Sequence, residues 1–135
     1  MAGNIQVISL DSINEAFWAI PQIRSAIRRK LFPGQADDRL AVCHLAKQGN
    51  SKIQWDFWLW VDGGEEGLSA IEEVEYQFPK GFSPKVEFGD PQKAFGDYGE
   101  TFAPFIVNVR IRFKSGKQKF VKHSVKLPET VISQF

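Results

Sequence analysis

From Arg39 onward, apolar residues recur at every second position. Leu40, Val42, His44 and Ala46 alternate with Ala41, Cys43 and Leu45. Ile53, Trp55, Phe57, Leu59 and Val61 alternate with Gln54, Asp56, Trp58, Trp60 and Asp62. Val74, Tyr76 and Phe78 alternate with Glu73, Glu75 and Gln77. Phe105, Val107, Val109, Ile111 and Phe113 alternate with Ile106, Asn108, Arg110 and Arg112, and Val121, His123, Val125 and Leu127 with Lys122, Ser124 and Lys126. A period of two is the mark of a strand with one buried face. Turn residues separate these runs: Gly49-Asn50, Asp62-Gly63-Gly64, Pro79-Lys80-Gly81, Gly89-Asp90-Pro91, Gly96-Asp97 and Lys114-Ser115-Gly116-Lys117. The last joins two strongly alternating runs and reads as a hairpin. Five clear strands, with short ones expected near residues 84–88 and 5–9 and no helix between them, predict an antiparallel two-sheet sandwich.

The first third reads differently. Ile13, Phe17, Ile20, Ile23, Ile27 and Leu31 recur at spacings of three and four, one face of a helix. Ser12 and Glu15 make a capping-box pattern, and Pro21 divides the stretch. Two short helices, over 12–19 and 21–32, are predicted. Trp58 and Trp60 share the face opposite Phe57 and Leu59, so the second strand is apolar on both sides. Such a strand is central or covered, and the helices are the expected cover. The predicted organisation is a helical extension, residues 1–36, packed on a β-sandwich, residues 37–135.

Composition narrows the function. The chain has 135 residues, one domain's worth, with 17 Lys+Arg against 16 Asp+Glu. The near-neutral balance argues against nucleic acid as a partner. One cysteine forms no internal disulfide, and the N-terminus carries no signal-peptide pattern, so a cytoplasmic setting is expected. No apolar run reaches the roughly 18 residues that a membrane span needs. Charge is nonetheless uneven. From Asp56 to Glu100 there are eleven acids and three bases; from Thr101 to Pro128 there are seven bases and no acid. Arg110, Arg112, Lys122 and Lys126 share one face of the predicted hairpin. This face is either solvated and balanced by the Glu-rich strand 72–77, or an electrostatic docking face.

No catalytic signature is present. There is no phosphate loop and no Gly-x-Ser-x-Gly. Cys43 and His44 are neighbours in a strand and point to opposite faces, so they make no nucleophile–base pair. His123 lies on an apolar row, where a hydrogen-bonded core histidine is expected. The histidines lack carboxylates at metal-ligand spacing, so no metal and no cofactor is expected. Glu65-Glu66 reads as a solvated turn.

What stands out is aromatics placed among turn residues. Phe82 lies between Pro79-Lys80-Gly81 and Ser83-Pro84. Phe95 and Tyr98 lie in a Gly/Asp/Pro-rich stretch before a strand. Two loops carrying Phe and Tyr at one sandwich end either wall a slot or plug the core.

These residues carry a resemblance. Trp55-Asp56-Phe57-Trp58-Leu59-Trp60-Val61-Asp62-Gly63 is similar to the His-x-Trp-x-Val-x-Val-x-Gly strand of YEATS domains. The run from Ile71 to Pro84 resembles the family's next strand and its Ser-Phe-x-x-Pro-like turn. Asp97-Tyr98-Gly99-Glu100-Thr101-Phe102 resembles its Gly-(Trp/Tyr)-Gly-Glu-Phe segment, with one extra residue. The resemblance spans about residues 39–127 and points to the prokaryotic branch. It implies an immunoglobulin-like sandwich. It also implies a binding module in which two loop aromatics sandwich a flat acyl-lysine amide, a planar neutral group that suits stacking between rings. Carried over by position, Phe82 and Tyr98 are the walls, with Gly81 and Gly99 beside them. Phe95 and Glu100 are near enough in sequence to line the same end. Gly81 and Pro79 stand where the family has Ser and His, so the aromatic half of the site carries over and that hydroxyl and imidazole do not. Prokaryotic relatives are often found beside signalling or defence modules, which implies a sensor or adaptor. The expected partner is an acylated-lysine peptide or a protein. The alternative is an assembly module with no small ligand.

Overall fold

The described chain begins with an antiparallel pair, β1 (Ala41–Gln48) and β2 (Trp55–Asp62); this computed structural model describes residues 39–127 and 132–135. Six strands follow: β3 (Ile71–Gln77), β4 (Val86–Phe88), β5 (Asp97–Thr101), β6 (Phe105–Phe113), β7 (Gln118–Val125) and β8 (Ile132–Gln134). They form two antiparallel sheets. Sheet A has the order β5-β2-β1-β8 and sheet B the order β4-β3-β6-β7. Val42, Phe57, Leu59 and Val61 from sheet A share one core with Val74, Tyr76, Val107, Val109, Ile111 and Val125 from sheet B. The alternating rows therefore face each other, as the sequence predicts for a sandwich. Burying each such aliphatic side chain contributes roughly 1.5–3 kcal/mol.

The hairpin is where the turn residues place it. Phe113 N–H donates to the Lys117 carbonyl, and β6 pairs with β7 from Phe105↔Val125 to Arg112↔Gln118. The Glu-rich strand balances the hairpin's arginines. Arg110 Nη2 lies 2.6 Å from Glu75 Oε1 and 3.0 Å from Glu73 Oε2. Arg112 lies 3.4 Å from Glu73 and 3.8 Å from Glu72.

Sheet A is apolar on both faces. Ala41, Cys43, Leu45 and Trp60 point away from the shared core yet are buried. Strand β2 is central, flanked by β5 and β1. The helices expected over 12–19 and 21–32, and the strand expected near 5–9, lie outside the described residues.

Three local expectations need correction, and one strand is added to them. Ile53 is an exposed turn residue, because β2 begins at Trp55. Glu65-Glu66 open a five-residue helix, α1 (Glu65–Ser69), between β2 and β3. Carboxylates suit a helix's first turn, and Leu68 secures the short helix by reaching the core. Asp97–Thr101 is a strand rather than a loop, since it pairs with β2 from Trp55↔Thr101 to Leu59↔Asp97. Ile132–Gln134 adds a short strand on β1, paired from Ala41↔Gln134 to Cys43↔Ile132.

His123 is the buried, hydrogen-bonded histidine expected from its row. His44 Nδ1 and His123 Nε2 are 2.9 Å apart across the two sheets. His44 Nε2 donates to the Lys126 carbonyl at 3.2 Å, since a carbonyl only accepts. With neutral rings, His123 Nε2 then donates to His44 Nδ1, and Ser133 Oγ donates to His123 Nδ1 at 2.8 Å. This chain of bonds joins β1, β7 and β8.

Candidate functional site

The register between β2 and β5 decides where the candidate residues point. Gly99 sits opposite Phe57, and Tyr98 opposite Trp58. Successive strand residues face opposite ways, so Gly99 faces the core and Tyr98 the outside of sheet A. The Tyr98 and Trp58 rings lie 5.2 Å apart. Tyr98 is 54% exposed, at the edge strand of its sheet. Lys47 Nζ stands 5.9 Å from the Trp58 ring centre, the distance of a cation–π contact. Partial burial, then the carboxylates of Asp56 and Glu100, push the Tyr98 phenol above its ordinary pKa. Glu100 is exposed and opposite Asp56.

Phe82 lies on the core side. Its ring stacks on Phe78 at 5.3 Å and 12° and meets Phe105 at 4.7 Å. Phe105 in turn meets Phe57 at 5.2 Å. Phe82 is half-buried, and Gly81 beside it is exposed with φ +101°. A Cβ built on Gly81 would meet no atom within 4 Å, so the backbone there borders open space. Phe82 and Gly99 are thus joined through Phe105 and Phe57. Tyr98 projects from the opposite face of the same strand.

Phe95 sits among core residues and is 5% exposed. It follows a 3-10 turn (Pro91–Lys93), and Ala94 and Phe95 both adopt left-handed backbone, with φ 54° and 56°. Such residues cost of order 1–3 kcal/mol each and need support. The Tyr76 hydroxyl donates to the Phe95 carbonyl at 2.6 Å, Phe95 N–H donates to the Asp90 carbonyl, and Val61 N–H donates to the Ala94 carbonyl. Asp97 lies nearby on β5. Burial first, then the charge of Glu87, raise its carboxyl to about 6 against the pull of the Tyr98 backbone N–H.

The sequence pattern did not show Trp58, Lys47 and Asp56 as the surroundings of Tyr98, nor Phe78 and Phe105 as the support of Phe82. Only the β2–β5 register and the meeting of the two sheets reveal these neighbours. Among the described residues no group of three or more His, Cys, Asp or Glu is placed to hold a metal ion. No helix among them is long and apolar enough to cross a membrane.

A sequence model described as the prokaryotic YEATS domain matches residues 55–126. The chain belongs to the prokaryotic YEATS domain family. The match runs from the start of β2 to just past the end of β7 and includes Phe82, Phe95 and Tyr98. The YEATS fold extends to solved structures. The chain is similar to the Yaf9 YEATS domain recognizing an H3K122suc peptide, with a TM-score of 0.59 and 15% identity over 69% of this chain and 76% of that one. It is similar to the Yaf9 YEATS domain bound to H3K27ac, with a TM-score of 0.58 and 16% identity over 71% and 80%. The yeast AF-9 homolog protein Yaf9 gives a TM-score of 0.57 and 13% identity over 71% and 78%. No curated protein matches the chain.

Proposed function

We propose that this YEATS domain is a binding module rather than an enzyme, and that it takes an acylated-lysine peptide or another flat ligand at the β5 edge. The observation that carries this reading is Tyr98, a large aromatic held 54% exposed on the outer face of an edge strand. Phe82, on the core side of the sheet and not on Tyr98's face, supplies the second aromatic surface, beside the open space at Gly81. Gly99 offers backbone between them. Glu100 lies on Tyr98's side of the strand, and buried Phe95 supports the segment from beneath. The Yaf9 domains that share the fold recognise succinylated or acetylated H3 peptides, which fits a flat acyl group as the ligand. A neutral amide loses little hydration on stacking, whereas an unmodified ammonium loses much. The protein reads its ligand in the cytoplasm and passes the signal to a partner, as a sensor or adaptor in a prokaryotic signalling or defence system.

Calorimetric titration with a crotonyl-lysine peptide and its unmodified counterpart tests this. Binding of the acylated peptide alone, weakened about tenfold or more in Phe82→Ala and Tyr98→Ala, supports the site; a tenfold loss is about 1.4 kcal/mol. Equal binding of both peptides, or unchanged affinity in both variants, contradicts it.

One observation favours a second reading, an assembly module with no small ligand. The close stack of Phe82 on Phe78 is what a plug over the core end would show.

A further inference from the structure

The outer face of sheet B carries a surface that the β5 edge does not use. Directly paired residues share a face, so one row across the sheet runs Phe88, Glu75, Arg110, Phe120. The next runs Val86, Gln77, Asn108, Lys122. Phe120 is 74% exposed on the β7 edge, and Val86 and Phe88 are exposed on the β4 edge. Between them lies a shallow groove of about 350 Å³, lined in part by Gln77, Asn108, Arg110, Phe120 and Lys122. Exposed aromatics on both edges with hydrogen-bonding groups between them are the make-up of an interface.

Charge selects the partner. Arg110 and Arg112 are occupied by Glu72, Glu73 and Glu75. Lys122 and Lys126 on the β7 side are exposed, and no ion pair reaches them among the described residues. A phosphate backbone would meet that row of glutamates and leave the apolar edges wet. A peptide carrying both acidic and apolar side chains satisfies both. Spacing adds a constraint. Three strand intervals of about 4.8 Å put the two edges roughly 14 Å apart, and four residues of extended chain cover about 13 Å. Residues four apart on an extended chain point the same way.

We propose that the outer face of sheet B docks an extended segment of a partner protein that carries apolar side chains at positions i and i+4 and an acidic residue between them. The apolar residues sit on Phe120 and on Val86–Phe88, and the acid meets Lys122 over the Asn108 amide. This surface is separate from Phe82 and Tyr98, so the domain can hold a ligand and a partner at once.

The test is selection of a random 12-residue phage-displayed peptide library on the immobilised full chain, with affinities of the winning peptides measured by fluorescence anisotropy. The expected winners carry aromatic or aliphatic residues four apart with Glu or Asp between. Phe120→Ser and Lys122→Glu each weaken them at least tenfold, and Phe82→Ala leaves them unchanged. Both altered side chains are exposed, so the variants keep the fold, which amide spectra verify. No enriched peptide, or winners indifferent to both substitutions, overturns the proposal. So does salt-sensitive binding of a 20-base-pair DNA duplex that Lys122→Glu abolishes.

Discussion

Gly99 lies across from Phe57, and a Cβ on Gly99 would come within 2.5 Å of Phe57 Cζ. The absence of a side chain at Gly99 lets the tip of the Phe57 ring approach β5 while the ring carries the contact on to Phe105. Gly99→Ala forces that ring or the strand to shift. Overpacking of this kind costs about 1–3 kcal/mol. Urea unfolding midpoints should fall accordingly, and the aromatic resonances of Phe57 and Phe105 should move. An unchanged midpoint would show that β5 moves freely and is not held by this packing.

The Tyr76 hydroxyl bonds to the carbonyl of a residue in left-handed backbone. Tyr76→Phe leaves the Phe95 carbonyl buried and unpaired, at about 1–3 kcal/mol. Chemical unfolding reads this directly. Hydrogen exchange should also quicken around Ala94 and Phe95, where the strain is released.

Asp97 makes the fold less stable at neutral pH. Its carboxyl titrates at about 6 in the folded chain against 3.8 as a free side chain. The folded state therefore holds the proton more tightly, and stability falls as pH rises from about 4 to about 6. Asp97→Asn keeps an oxygen for the Tyr98 backbone N–H and removes the charge. The variant should melt a few degrees above wild type at pH 7.5, roughly the shift that about 1 kcal/mol gives a domain of this size, with the difference closing toward pH 4.

His123 acts in the opposite direction. Burial, then the neighbouring His44, lower its pKa from 6.5 to about 3. The unfolded chain takes up the proton first, so this contribution is complete above pH 6.5 and is lost as pH falls toward 3. His123→Phe should cost about 1–3 kcal/mol at pH 7.5, because His44 and Ser133 lose their partner. The wild-type and variant stability curves should approach each other toward pH 3. Parallel curves throughout would place the titration elsewhere.

The strands with long alternating rows were legible because one residue type per face is a local signal. Val74-Tyr76 and Val107-Val109-Ile111 face inward as their spacing requires. Strand β5 was not legible. Its Gly96-Asp97 and Gly99 are turn residues by composition, and only the Phe57 ring explains a glycine in mid-strand. Phe95 reads as a loop aromatic because the turn that carries it into the core depends on left-handed backbone at Ala94, a non-glycine position. His123 was readable as a core residue, but its partner His44 lies 79 positions away. The same limit applies to the candidate site. Phe82, Tyr98 and Gly99 could be picked out by position, while the faces of Tyr98 and Gly99 follow from the β2–β5 register and the place of Phe82 from its packing on Phe78 and Phe105.

The central claim is that Phe82 and Tyr98 receive a flat acyl group. An amide-resonance titration of the labelled protein with acetyl-, crotonyl- and unmodified-lysine peptides tests it most directly. Saturable shifts confined to residues around Gly81–Phe82 and Tyr98–Gly99, with the acylated peptides only, are the predicted result. Shifts identical with all three peptides, or none with any, would contradict it.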